Sequence, residues 1–231
     1  VADQHKAHGA GMDGFRFLPE HQAKQLLTQY GIDVPREQVA SSAEEAARCA
    51  AEIGFPVVLK ILSADVPHKT EAGGVKLGIG SPEAAAAGYR EIVDSVLRHH
   101  PEAVIDGVLV AEQVSFEHEL FCGMVRDPQF GPVIAFGLGG IFVEVLRDVT
   151  FGVTPLELID ALDMVRGIKG HAVIAGARGR TPVDEAKLAQ VLISVARLAT
   201  EHSEIEELDI NPLAVTRDGR LVALDCLIKT K

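Results

Sequence analysis

The chain has 231 residues, 47% of them hydrophobic and 24% charged, and carries a formal net charge of −11. That length builds one large domain or two small ones with a proper core, and the acidic balance excludes a surface made for a nucleic-acid backbone, which needs clustered cations. A small cationic pocket for a nucleotide stays compatible with it, and no apolar run reaches the about 18 residues of a membrane span.

Residues 1–17 read as a flexible N-terminal extension. Val1 to Gly14 is rich in Ala, Gly and His, unlike a signal sequence. With no methionine at position 1, the chain reads as cut from a tag or from a longer polypeptide. His5, His8 and His21 read as surface residues. Cys49, Cys122 and Cys226 lie far apart and match no CxxC pattern, so they read as reduced thiols of a cytoplasmic protein.

A helix is predicted from Pro19 to Tyr30, with Ala23, Leu26, Leu27 and Tyr30 on one face and Gly31 as its stop. Ile32 to Pro35 reads as extended. A second helix opens at Ser41, with Glu44 completing a capping box and Gly54 ending it. Val57-Val58-Leu59 is a short strand ending in Lys60. The polar loop that follows holds Pro67, His68, Lys69, Thr70 and Glu71. Gly73-Gly74 then open a strand from Val75 to Ile79. Ser81-Pro82-Glu83 starts a helix that Pro101 stops after His100.

Lysine is a common phosphate partner, and glycines let backbone N–H groups approach an anion. The strand, histidine loop and glycine pair therefore read as an anion cradle or as an ordinary hairpin with a charged loop. The segment is not a Walker A loop, which leads from GxxxxGK[ST] into a helix.

In the second half, strands are predicted at Val108–Ala111, Leu120–Val125, Pro132–Phe136 and Ile141–Leu146. Arg126-Asp127-Pro128 is a turn, and Gly137-Leu138-Gly139-Gly140 breaks the third strand from the fourth. Thr154-Pro155-Leu156-Glu157 starts a helix to Gly167, and Thr181-Pro182-Val183-Asp184 starts one to His202. Ile205–Ile210 and Leu221–Leu224 are last strands joined across Arg217-Asp218-Gly219. The clustered strands favour α+β, in two mixed lobes at 18–107 and 108–231 with a ligand cleft between them.

Magnesium takes oxygen ligands and is the usual companion of phosphate chemistry. Asp209 and Asn211, two apart, project from one strand face. A hairpin turning at residues 217–219 brings Asn211 level with Asp225. These three read as metal ligands or as turn-forming polar residues at strand ends. Glu144, within Phe142-Val143-Glu144-Val145-Leu146, is a further buried-looking acid. Lys60, Arg147 or Arg178 would serve as its structural partner.

Five stretches carry a resemblance: Pro67-His68-Lys69-Thr70-Glu71 with Gly73-Gly74-Val75; Arg126-Asp127-Pro128-Gln129-Phe130-Gly131-Pro132; Phe136-Gly137-Leu138-Gly139-Gly140 running to Glu144; Gly176-Ala177-Arg178-Gly179; and Leu208-Asp209-Ile210-Asn211-Pro212-Leu213. In this order, from Phe17 to Ile228, the chain resembles the ATP-grasp domain of ADP-forming acyl-CoA synthetases. That domain is the nucleotide-binding β part of acetyl-CoA synthetase (ADP-forming). More distantly, the chain is similar to the β subunit of succinyl-CoA synthetase.

The resemblance implies an ATP-grasp fold that takes ATP/ADP and magnesium. It implies phosphate contacts from Lys60 and Lys69 and a glycine hairpin at Gly73 and Gly74. The adenine strand would be Val110 to Val114, with Glu112 at its edge, and Glu119 and Glu144 would border the nucleotide. Magnesium would fall to Asn211 and Asp225, with Asp209 as a third acid, and His68 would be a phosphate-relay histidine. The resemblance further implies an oligomer with a CoA-binding α-type subunit or fused domain, where the carboxylic acid and CoA bind.

Two positions depart from the family: Gly152 after Phe151, where arginine is common, and Leu227 in Asp225-Cys226-Leu227, where Asp-Ala-Arg is usual. Both read as lost cations near the site. They leave as alternatives a synthetase-like regulatory module of a fused acetyltransferase, or a stand-alone ATP-grasp carboxylate–amine ligase in which His68 would be idle.

Overall fold

The computed structural model describes residues 14–63, 65–66, 69–140 and 148–231. His5, His8, His68, Glu144 and the strand expected at Ile141–Leu146 lie outside the described residues, as does the side chain of Arg178. The elements are β1 (Arg16–Phe17), α1 (Glu20–Gln29), β2 (Glu37–Ala40), α2 (Ala43–Ile53), β3 (Val57–Leu62), β4 (Val75–Ile79), α3 (Pro82–His99), β5 (Gly107–Glu112), β6 (His118–Asp127), β7 (Gly131–Leu138), β8 (Val149–Val153), α4 (Leu158–Gly167), α5 (His171–Ile174), α6 (Glu185–Glu201), β9 (Ile205–Val215), β10 (Leu221–Ala223) and β11 (Cys226–Thr230). They divide into two units: residues up to 19 with 36–113, and 20–35 with 114–231. Helix α1 thus goes with the second unit, where the sequence suggested a continuous lobe from 18 to 107. Among the described residues, no helix is long and apolar enough to cross a membrane.

In the first unit an antiparallel sheet runs in the order β2-β5-β3-β4. Leu59, Ile61, Val108 and Val110 point to one face and are buried against α2 and α3. The helices supply Ala46, Ala50, Ala85, Ile92 and Val96, and their alanines let the backbones come close to the sheet. Gly88 completes the fit, because a Cβ there would lie 2.8 Å from Leu59 Cδ1.

Helix α2 is capped one residue later than the sequence suggested. Ser42 accepts from Glu45 N at 3.1 Å, while Ser41 donates to the Glu45 carboxylate from both its N–H and its hydroxyl. Helix α3 starts as expected, with Ser81 accepting from Ala84 N.

The second unit holds an antiparallel sheet in the order β11-β9-β6-β7-β8, with β10 pairing the far end of β9. One face carries Cys122, Met124, Phe136, Leu208, Ile210 and Ile228, all buried, and packs under helices including α4 and α6. The three cysteines are free and buried, and burial pushes the Cys122 thiol up to about 12.

The turn Asp127–Gly131 is a structural device. Asp127 accepts from Gln129 N and Phe130 N, and Gly131 takes φ +73°. Arg126 caps the end of α6 by donating to the carbonyls of Ala199 and His202, and its Nε donates to Ile205 O at the start of β9.

Both proline-marked helices begin later than expected. Thr154 N donates to Pro132 O, which commits Thr154 to the β7 ladder, and Glu157 and Asp160 form the capping box of α4. Asp184 caps α6 by accepting from Ala186 N and Lys187 N. His21 is half-buried rather than a surface residue, and its Nδ1 has no partner.

Candidate nucleotide and metal site

On the second unit, β9 and β11 form the acid-bearing part. Cys226 stands opposite Ile210 and Leu227 opposite Asp209, and β10 continues the register with Ala223 opposite Leu213. Asn211 and Asp225 are therefore level, and Asn211 N donates to Asp225 O at 3.3 Å. Asp209 and Asn211 flank buried Ile210, and Asp225 and Leu227 flank buried Cys226. The polar three thus share the face opposite the helices.

Burial pushes the Asp209 carboxyl up, and the Asp225 charge adds to the shift. Asp209 Oδ1 is buried and has no hydrogen-bond partner. Among the described residues no cation pairs with this buried carboxylate oxygen, and the Asp225 charge acts on the same group. That donor set suits a hard divalent cation such as magnesium. Among the described residues, no three His, Cys, Asp or Glu side chains gather tightly enough to hold a metal by themselves. A cation here would need Asn211 and further oxygens, as magnesium on a polyphosphate has.

Leu227 lies directly across from Asp209 on this open face and is 49% exposed. Gly152 sits opposite Ile134, and a Cβ on it would lie 2.5 Å from Met164 Sδ and 2.8 Å from Leu156 Cδ2, on the helix-covered side. Its missing side chain makes room for Met164 of α4 and for Leu156.

Glu119 lies at the start of β6 under the glycine turn. Its carbonyl accepts from Gly139 N at 2.7 Å, and Cβ atoms at Gly139 and Gly140 would lie 2.8 and 3.1 Å from its side chain. A cavity of about 350 Å³ opens there, lined by Glu117, His118, Glu119, Gly139 and Arg180 among others. His118 is buried, with Nε2 2.9 Å from Thr181 O and Nδ1 without a partner. Only a donor can pair with that carbonyl, so Nε2 carries the proton. A hydrogen bond from Thr181 holds the Glu117 carboxyl below its ordinary value. Sequence reasoning missed His118 and Arg180; their only signal was proximity to Glu119 and to the Gly-Ala-Arg-Gly stretch.

On the first unit, Lys60 sits inside β3 rather than at its end, since the strand runs on to Leu62. It stands across from Val75 and Leu109, on the face opposite Leu59 and Ile61. Glu112 is held by Arg36, with Nε 3.0 Å from its carboxylate. Gln113, beside half-buried Val114, accepts from Gly78 N through its side chain.

The glycine pair is arranged otherwise than a cradle requires. Gly73 N donates to Thr70 O and Gly74 N to Lys69 O, so both N–H groups are used inside the turn. A Cβ on Gly73 would lie 2.5 Å from Ser95 Oγ, and one on Gly74 2.6 Å from Ile61 Cγ2. The pair shapes a tight turn around Lys69 and Thr70, next to His68 in the chain.

On the second unit, a hairpin that sets Asn211 and Asp225 level beside the unpartnered oxygen of Asp209 has the donor chemistry that suits a phosphate-bound divalent cation. The chain matches the family model of the ATP-grasp domain over residues 10–230 and belongs to that family. It is 46% identical over 206 residues to the β subunit of ADP-forming acetate–CoA ligase I from Pyrococcus furiosus, covering 89% of each chain. It is 44% identical over 197 residues to ADP-forming acetate–CoA ligase I of Archaeoglobus fulgidus, where it spans 85% of this chain and 29% of the relative.

Acetyl-coenzyme A synthetase 1 of Ca. Korarchaeum cryptofilum, solved with coenzyme A, Ca-AMPCP and HgCl+, superposes with a TM-score of 0.90 at 44% identity over 94% of each chain. The same protein with coenzyme A and Mg-AMPPCP has its phosphohistidine segment pointing towards the nucleotide binding site. It superposes with a TM-score of 0.82 at 40% identity over 93% of each chain.

Proposed function

We propose that this chain is the nucleotide-binding component of an ADP-forming acid–CoA ligase: acid + CoA + ATP gives acyl-CoA + ADP + phosphate. The observation that carries the reading is the level pair Asn211 and Asp225 beside the uncompensated oxygen of Asp209. Lys60 and Lys69 hold the nucleotide phosphates by charge, and Glu112, Val114, Glu119 and Glu144 border the nucleotide. Asn211 and Asp225, with Asp209 behind them, hold magnesium. When bound, the metal neutralises charge that spreads over the transferring phosphoryl oxygens.

His68 takes the γ-phosphoryl group through a ring nitrogen as ADP leaves, and later gives it to the carboxylate to form an acyl phosphate. Neutral imidazole is nucleophilic near pH 7 and leaves readily once phosphorylated. The thiol of CoA then displaces phosphate. The acid and CoA bind on an α-type subunit or fused domain, in an oligomer that works in the cytoplasm.

The test is reconstitution with an α-type partner, following ADP and acyl-CoA with acetate as first substrate and larger acids after it. ADP and acyl-CoA should form together in equal amounts, with each component needed. ATP bound without turnover on any acid would instead support a regulatory module. Turnover with an amine acceptor and no CoA would support a carboxylate–amine ligase.

A further inference from the structure

The start of β6 is tied to a stretch 63 residues further along the chain. His118 Nε2 donates to Thr181 O at 2.9 Å, Thr181 N donates to the Glu117 carboxylate at 3.3 Å, and Arg180 Nη1 donates to Glu117 O at 3.2 Å. Two neighbours in one segment thus bond to two neighbours in another. Arg180 and Thr181 directly follow the short 3-10 turn Ala177–Gly179 and precede Asp184, the cap of α6. On the other flank, Glu117 N donates to Val215 O at 2.8 Å, which fixes the same point to the end of β9.

Histidine is a costly choice at position 118. The residue is 3% exposed, and its Nδ1 is buried without a partner. An unpaired buried acceptor lowers stability, whereas an apolar side chain of similar size leaves nothing unpaired. Thr181 is an exposed residue, so water can reach its carbonyl once the imidazole is gone. Stability alone therefore favours leucine here. Local rules of this kind are broken where function needs it, and what histidine supplies is one bond that holds the strand.

The residue held is Glu119. It follows His118 in β6 and projects to the opposite face, so a shift of His118 carries Glu119 with it. From the β7 side, Gly139 N donates to Glu119 O, and the glycine turn leaves no room for a Cβ beside the Glu119 side chain. Glu119 is thus fixed between the glycine turn and the tie to Thr181. We propose that His118, together with Glu117, is a positioning residue that sets Glu119 against the nucleotide, at some loss of stability to the fold. This rests on the nucleotide reading above, in which Glu119 borders ATP.

The test pairs urea unfolding with calorimetric titration of Mg-ATP, in the full chain and in His118→Leu, His118→Gln and Glu117→Ala. Glutamine places an N–H donor near the position of Nε2 and so keeps the bond to Thr181 O. His118→Leu should unfold at the same urea concentration as the parent or a higher one, yet bind Mg-ATP roughly fivefold more weakly, the size of one lost hydrogen bond. Glu117→Ala should weaken binding to a similar degree, and His118→Gln should bind within about twofold of the parent. Unchanged affinity in both His118→Leu and Glu117→Ala would overturn the proposal. So would a loss of stability in His118→Leu with no recovery of binding in His118→Gln, which would make His118 a core residue only. A parent chain that binds no Mg-ATP would refute the nucleotide reading itself and this role with it, an outcome recognised before any substitution is made.

Discussion

Asn211 and Asp225 face each other across the last hairpin, joined by a hydrogen bond from Asn211 N to Asp225 O at 3.3 Å. The bond is between backbones, so it sets the level of both side chains without using either. Asp225 Oδ1 accepts locally from Cys226 N at 2.9 Å, a bond that an asparagine oxygen would keep.

Asp225→Asn should therefore leave the fold intact and weaken Mg-ATP binding by about tenfold or more, the size expected for a lost interaction with a charged group. Calorimetric titration of Mg-ATP into parent and variant checks this, with circular dichroism as the fold control. Unchanged affinity would remove Asp225 from the metal site.

This hairpin was legible in the sequence because register is arithmetic once the turn is placed. Residues 211 and 225 are symmetric about 218, and β10 and β11 keep that symmetry. The strands themselves were less legible. β8 was missed because Gly152 interrupts a short segment whose alternating apolar residues face outward, Phe151 being 68% and Val153 47% exposed. β11 was missed because Pro212 and the acids suggested strand ends in mid-sheet. The lysine of β3 looked like a strand end because a charge inside an apolar run is costly, yet the strand continues past it. The glycine pair was read for its N–H groups, but a sequence does not show that Thr70 and Lys69 carbonyls take them. Gly152 was read as an absent arginine, and only packing shows that Met164 fills the room.

Gly73 and Gly131 offer a controlled comparison. Both adopt positive φ, +67° and +73°, so alanine is strained at each by roughly 1–2 kcal/mol. At Gly131 a Cβ meets nothing within 4 Å, whereas at Gly73 it would lie 2.5 Å from Ser95 Oγ. Gly73→Ala should be the more destabilising, by about 1 kcal/mol or more beyond Gly131→Ala. Urea unfolding of the two variants checks the order, and equal losses would mean that Ser95 moves aside at no cost.

Glu185 links α6 to α4 and α5, accepting from Arg166 Nε at 2.8 Å and pairing with His171 Nε2 at 2.7 Å. Those hydrogen bonds, Arg166 first, hold its carboxyl below the ordinary value. A depressed folded pKa means the unfolded state binds the proton more readily. The stabilisation is therefore fully present above the usual carboxylate pKa and is lost as pH falls through the lowered one. Glu185→Gln should lower stability at pH 7 by less than about 1 kcal/mol, as such half-exposed pairs do. The difference from the parent should shrink below about pH 4.3. Unfolding curves across pH 3 to 7 check it. A difference independent of pH would assign the effect to packing.

The central claim is that His68 carries the phosphoryl group. Incubating the chain with γ-labelled ATP and magnesium, with and without an α-type partner, tests it most directly. The account predicts label on the chain that is lost in acid, survives alkali, and vanishes in His68→Ala. Label that persists in His68→Ala, or that appears only on the partner without any need for His68, would contradict the account.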